Sequence, residues 1–186
     1  DNMNVAGSTF SLSVPSGGIK ILTASAIDPS APAKSGWACV ETLGGTLGGV
    51  ATFRFIESGV LKTIAGVLAS QPVEIAAIPI DNDESQRRFT GFAVANVGDE
   101  DVNISLSTIN EGGEVLESPL RPAELNPLGP RKQIARFLHQ YPPYRSTFRG
   151  SIVLQADGGK KFIVVALLQN QGLFTAIPVI PKGIRP

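Results

Sequence analysis

A disulfide within the chain is excluded at the outset, because the 186 residues include a single cysteine, Cys39. Histidine is equally scarce. His139 stands alone, so a Ser-His-Asp or Cys-His catalytic arrangement would have to use it. The longest unbroken apolar run, Phe162 to Leu168, is far too short for a membrane-crossing helix. Charge of one sign is missing too: 16 basic and 16 acidic residues cancel, leaving no global field toward nucleic acid or an anionic membrane. The glycine pairs Gly44-Gly45 and Gly48-Gly49 lack the Lys-Ser/Thr and the helix of a phosphate loop. There is no G-x-S-x-G elbow and no zinc-type spacing, and no cofactor is expected. The chain opens DNMNVAGS without the basic segment and apolar core of a signal peptide, and Asp1 fits a processed or a shortened amino end equally.

What is present suits a packed β protein. Hydrophobic residues make up 42% and charged ones 17%, which favours a folded core over disorder. Twenty glycines and fourteen prolines, scattered without a period, fit short strands joined by tight turns. A neutral surface protects poorly against self-association, which leans toward an assembling protein.

The stretch from Phe148 to Val179 reads as three strands with turns at Asp157-Gly158-Gly159 and Asn170-Gln171-Gly172. Gly36 to Val67 repeats the pattern as GWACVETLGG, GVATFRFIESG and VLKTIAGV. Landmarks recur at similar spacing. Pro15 to Gly36 spans 21 residues and Pro127 to Gly150 spans 23; Gly36 to Gly59 spans 23 and Gly150 to Gly172 spans 22. The expected fold is therefore all-β: two sandwich-like, Ig-like antiparallel units related by an internal repeat, over residues 1–85 and 86–186. Further strands are expected at Thr9 to Val14, Val73 to Ile80 (ending at an edge because of Pro79), Thr90 to Val97 and Val102 to Ile109. Ile134, Phe137, Leu138 and Tyr141 at i, i+3, i+4 and i+7 predict one short helix over 132–140, stopped by Pro142-Pro143.

The units differ at their starts. Thr90 precedes Pro127 by 37 residues, whereas only fourteen precede Pro15. The first unit is expected to lack about two strands, leaving open backbone edges that need a filler. That filler would be this chain's own tail, the Val73 to Ile80 strand or a strand from a neighbouring copy. In the second unit Ile163, Val165 and Leu167 share a face backed by Val164, Ala166 and Leu168, a strand apolar on both sides that calls for cover. The expected assembly residues are Val5, Phe10 and Leu12 near the amino end, Ile163, Val165 and Leu167, and Ile177 and Val179 near the carboxyl end.

Candidate chemistry is sparse. Cys39, among small and apolar neighbours, is expected to be a buried inert thiol, and His139 to play a surface or capping role. Asp81, Asp83 and Glu84, and Asp99, Glu100 and Asp101, form acidic turns. Calcium-binding loops are the alternative, but neither stretch has the spacing of the known calcium loop. Arg131, Lys132, Arg136, Arg145 and Arg149 lie among Phe137, Tyr141, Tyr144 and Phe148. The aromatics have core spacing, so nucleic acid is not expected, while Tyr141 and Tyr144 are the candidate platform for a cell-envelope glycan.

The runs TGFAVAN, GPRKQIARFL, FRGSIVLQ and VVALLQNQGLFTAIPV resemble a family of tandem modules in large secreted or surface proteins of environmental bacteria, Acidobacteria among them. The first unit's GWA-x-V, GVATFRF and AGV-x-AS are similar to that family's first half-repeat, and the likeness covers about Ser8 to Pro181. It implies an extracellular or cell-surface β-sandwich and carries no catalytic signature. The chain departs from the family at its start, where an additional hairpin is usual. Together these features point to a non-enzymatic extracellular structural subunit without a membrane span. It is expected to self-assemble with copies of itself, into a filament by donation of a strand. The alternative is a cell-surface module that binds carbohydrate or another ligand.

Overall fold

The computed structural model describes residues 11–22, 36–116, 119–141 and 147–181, apart from the side chains of Phe55 and Glu57. The protein is all-β and antiparallel, with no α-helix among the described residues. Its strands are β1 (Val50–Glu57), β2 (Val60–Leu68), β3 (Ile75–Asp83), β4 (Arg88–Ala95), β5 (Ile104–Asn110), β6 (Gln133–Phe137), β7 (Thr147–Ala156), β8 (Ile163–Asn170), β9 (Leu173–Ile177) and β10 (Ile180–Pro181). β1 and β2 form a separate hairpin, and the other eight form one sheet.

That sheet folds over on itself. β3 pairs with β7 along its whole length, from Ile75↔Gln155 to Asp83↔Thr147. On its other side it meets β10 only at Ala76 and Ala77, and β4 only at Asp83↔Arg88. β4 therefore leaves β3 at once and runs between β6 and β8. The result is two halves, β5-β7-β3-β10 and β6-β4-β8-β9, joined at one corner.

Side chains replace the ladder where β3 and β4 part. Ala156 N–H donates to Glu74 C=O, which sets the alternation so that Asp81 N–H points away from β7. It donates to Thr90 Oγ1 at 3.0 Å, and Thr90 N–H donates to Asn82 Oδ1 at 2.7 Å. Asn82 and Thr90 are both fully buried. The same alternation turns the nitrogen of Pro79 into the gap between β10 and β4, where no ladder bond is required. A proline is thus tolerated inside this strand, away from the edge that the sequence suggests.

The two halves share one core. Thr108↔Ile152↔Ile78 and Leu106↔Leu154↔Ala76 are rows across β5, β7 and β3, and Ile134↔Val94↔Val164 is a row across β6, β4 and β8. The apolar residues of these rows belong to a single buried cluster with Phe92, Phe162, Leu125, Leu128 and Leu138. Burying each large apolar side chain is worth about 2 kcal/mol, against at most about 1 kcal/mol for an exposed ion pair, so the rows rather than the surface charges hold the fold.

Four sequence expectations are corrected. Residues 132–140 form β6 and a single 3-10 turn at Leu138–Gln140 in place of a helix. The open edge of β4 supplies five paired partners for Gln133 to Phe137, and this tertiary pairing outweighs the helical apolar spacing. Gly36 to Gly49 does not form the expected first strand; it runs without regular structure and Cys39 is exposed rather than buried. Residues 11–14 are likewise outside any strand, and Thr9 and Phe10 lie outside the described residues.

Two substitutions test this architecture. Asn82→Ala strands the buried Thr90 N–H and is expected to cost about 2 kcal/mol in chemical denaturation. Gly150 sits in β7 at φ +148°, and a Cβ there would run into the Ile109 carbonyl oxygen of β5. Gly150→Ala is therefore expected to destabilise by more than about 3 kcal/mol in the same assay.

Candidate functional site

The acidic turns are occupied by cations of the chain itself. Asp81 lies 2.9 Å from Arg88 Nε and 3.2 Å from Arg149 Nε. The Ser85 hydroxyl hydrogen bond, foremost, holds the Asp83 carboxyl below its usual range, with Gln86 N–H and Arg88 assisting. Asp99 pairs with Arg131 at 2.8 Å and Glu100 with Lys160 at 3.0 Å, while Lys160 also donates to Asp101 C=O. Among the described residues no cluster of three or more His, Cys, Asp or Glu is placed to hold a metal.

His139 is half-buried, its ring 4.4 Å from Phe89 and 5.6 Å from Phe137, with Nδ1 buried and without a hydrogen-bond partner. Tyr141 is in the core: it is 8% exposed and stacks on Phe92 at 6.1 Å, so its ring offers no platform. Burial pushes its phenol well above the usual range, and the carboxylate of Glu124 beside it adds to the shift. The hydroxyl is buried beside the Glu124 carboxylate. Tyr144 lies outside the described residues, as does Val5.

Of the expected assembly residues, Leu12 is exposed, while Ile163, Val165 and Leu167 form a half-buried face. Ile177 and Val179 pack against the core. Among the strands, the most exposed apolar surface is elsewhere, on the β1–β2 hairpin. Val50, Phe53, Ile56, Val60, Ile64 and Leu68 are each more than half exposed. The register places Val50, Ile64 and Leu68 on one face and Phe53 on the other, so both faces are apolar. β2 lies against β9, where Thr63 Oγ1 accepts the Phe174 N–H at 2.9 Å.

Most sheet edges are guarded. Bridges from Val115 and Leu120 cover β5, Gln140 Oε1 accepts the Phe137 N–H at the end of β6, and Pro181 ends β10. Among the described residues nothing pairs with the outer edge of β1. The sequence signal for the exposed hairpin lies in VATFRFIE and VLKTIAGVL, which carry apolar residues at both odd and even positions.

A cleft of about 350 Å³ lies between β6 and the 124–129 turn, lined by Glu124, Pro127, Leu128, Lys132, Ile134 and Arg136. Sequence reasoning shows Lys132 and Arg136 only as part of a basic run and gives no sign of Glu124. On a helix Lys132, Ile134 and Arg136 would diverge; on a strand they share one side. Comparison with protein-family models, with curated proteins and with solved structures finds no match.

The exposed Arg121–Asp157 pair gives a pH test. The Arg121 hydrogen bond lowers the Asp157 pKa, so the stability this pair contributes is present above the unfolded carboxylate value and is lost as pH falls through the folded one. Arg121→Ala is expected to return the Asp157 titration toward the ordinary carboxylate range, read by carboxyl NMR.

Proposed function

We propose that this chain is a non-enzymatic structural subunit of the cell exterior that assembles with copies of itself, one copy donating a strand to the next. The observation that carries the reading is the open, doubly apolar β1–β2 hairpin. It has a close counterpart in β8–β9. Both pair an eight-residue strand with a second strand through a two-residue turn. Both turn residues are left-handed in each: Ser58 and Gly59 at φ 50° and 78°, Gln171 and Gly172 at 51° and 88°. This likeness supports two Ig-like units built on one plan. β8 has β4 along its other side, whereas β1 has its edge free, so the position of a β4-like strand is the vacancy that a donated strand fills. The proposed donor is the segment from Asp1 to Phe10 of a neighbouring copy, since Ile177 to Pro181 at the other end are already paired or packed within their own chain. Contacts of this head-to-tail kind need not close, and a filament results.

Light scattering and electron microscopy of the full chain are expected to show concentration-dependent oligomers or filaments. Phe53→Asp, on the exposed hairpin, and deletion of residues 1–10 are each expected to disperse them while leaving a cooperative unfolding transition. A full chain that stays monomeric at every concentration sinks the reading.

A further inference from the structure

We propose that the cleft between β6 and the 124–129 turn binds an acidic oligosaccharide, its sugars carrying carboxylates at intervals. This goes beyond the assembly reading and does not depend on it.

Both walls are held before any ligand arrives. On one side β6 is fixed by its five pairs with β4. On the other, Asn96 Nδ2 donates to the carbonyls of Leu128 and Gly129 at 2.9 and 3.1 Å, and Asn126 Nδ2 donates to those of Ile104 and Pro122. Val102 and Leu128 exchange backbone bonds in both directions. A site clamped in this way loses little entropy on binding.

The polar groups left over describe the ligand. Among the described residues Lys132 has no ion-pair partner, and it is exposed. Arg136 meets Glu124 at 3.5 Å and donates Nη1 to its neighbour's carbonyl, which leaves most of its guanidinium donors for an incoming carboxylate. Four residue steps, about 13 Å of extended chain, separate the Cα atoms of the two cations, a spacing that suits carboxylates on successive sugars. Between them the exposed Pro127 ring gives an apolar contact of the kind that takes the C–H face of a sugar, with the buried Leu128 and Ile134 behind it. Glu124 disfavours a dense polyanion such as a phosphodiester chain, yet accepts hydrogen bonds from hydroxyls. A chain alternating carboxylates with hydroxyls satisfies Lys132, Arg136 and Glu124, and the cleft volume is within the usual range for ligand sites, about 300–1,000 Å³.

Calorimetric titration with trigalacturonate, and with maltotriose as the neutral counterpart, tests this. The uronate is expected to bind with an affinity that falls as salt rises. Lys132→Gln and Arg136→Gln are each expected to weaken it about tenfold. Because Lys132 is exposed and outside any ion pair, its substitution keeps the test decisive even where Arg136→Gln loosens the turn. Absence of binding at millimolar uronate, equal binding of maltotriose, or unchanged affinity in Lys132→Gln overturns the proposal. Any of these results leaves the light-scattering behaviour of the chain as it was.

Discussion

The fold depends on a small buried exchange at the corner where β3 leaves β4. Had those strands kept the register of Asp83↔Arg88, Ile78 and Ile80 would face the opposite side of the sheet from Phe92 and Val94, and the four could not share one core. Parting them frees two backbone N–H groups in a dry place, where an unmet donor costs about 1–3 kcal/mol. Thr90 Oγ1 takes the one from Asp81 and Asn82 Oδ1 takes the one from Thr90, so the sheet folds over without stranding either. The surrounding ion pairs of Asp81 with Arg88 and Arg149 are partly solvated and worth less. The buried amide and hydroxyl, more than the charges, let one sheet become two facing halves.

Folding over creates edges, and their treatment is uneven. The edge of β5 is bridged, the end of β6 is capped by a side chain, β10 ends on proline, and the Phe174 N–H of β9 is taken by Thr63. Each device commits a specific residue to keeping other backbones away. The β1–β2 hairpin has none of them on its outer strand, although its apolar side chains are the most exposed of any strand pair described. Two strands alone are marginal in water, because one hairpin cannot bury its own faces. A strand added to β1 would supply both the missing backbone partners and cover for the exposed side chains.

The legible parts of the fold are those set by neighbours in sequence. The Asn170-Gln171-Gly172 and Glu57-Ser58-Gly59 turns announce their hairpins because a two-residue loop needs left-handed residues at known positions. The alternation of Ile104 and Leu106 likewise marks β5. Gln133 to Phe137 reads as helix because Ile134, Phe137, Leu138 and Tyr141 have helical spacing, and the deciding factor is a vacant edge on β4, some forty residues earlier. Gly36 to Leu43 has the residues of a strand, but a strand needs a partner, and none of the described chain pairs with it. The roles of Asn82, Asn96 and Asn126 are illegible, since asparagine in a polar stretch reads as turn. Only the folded chain shows these amides tying carbonyls and N–H groups from distant segments. The cleft escapes sequence reasoning for the same reason: Glu124 and Arg136 meet across a loop, and Lys132 joins them only once that stretch is extended.

The two proposed surfaces place opposite demands on the backbone, and the topology keeps them apart. Accepting a strand requires an unfinished hairpin whose edge can adjust its register. Recognising spaced carboxylates requires walls that hold Lys132 and Arg136 at a fixed separation. In the half ordered β6-β4-β8-β9, the cleft borders β6 at one margin and the hairpin adjoins β9 at the other, three strand spacings or about 14 Å away. A strand docking on β1 extends the array away from β6, so each subunit of the proposed polymer would keep its cleft open to solvent. Repetition along a filament would then set many such clefts at regular intervals against one polysaccharide, where weak single-site binding is multiplied by effective concentration.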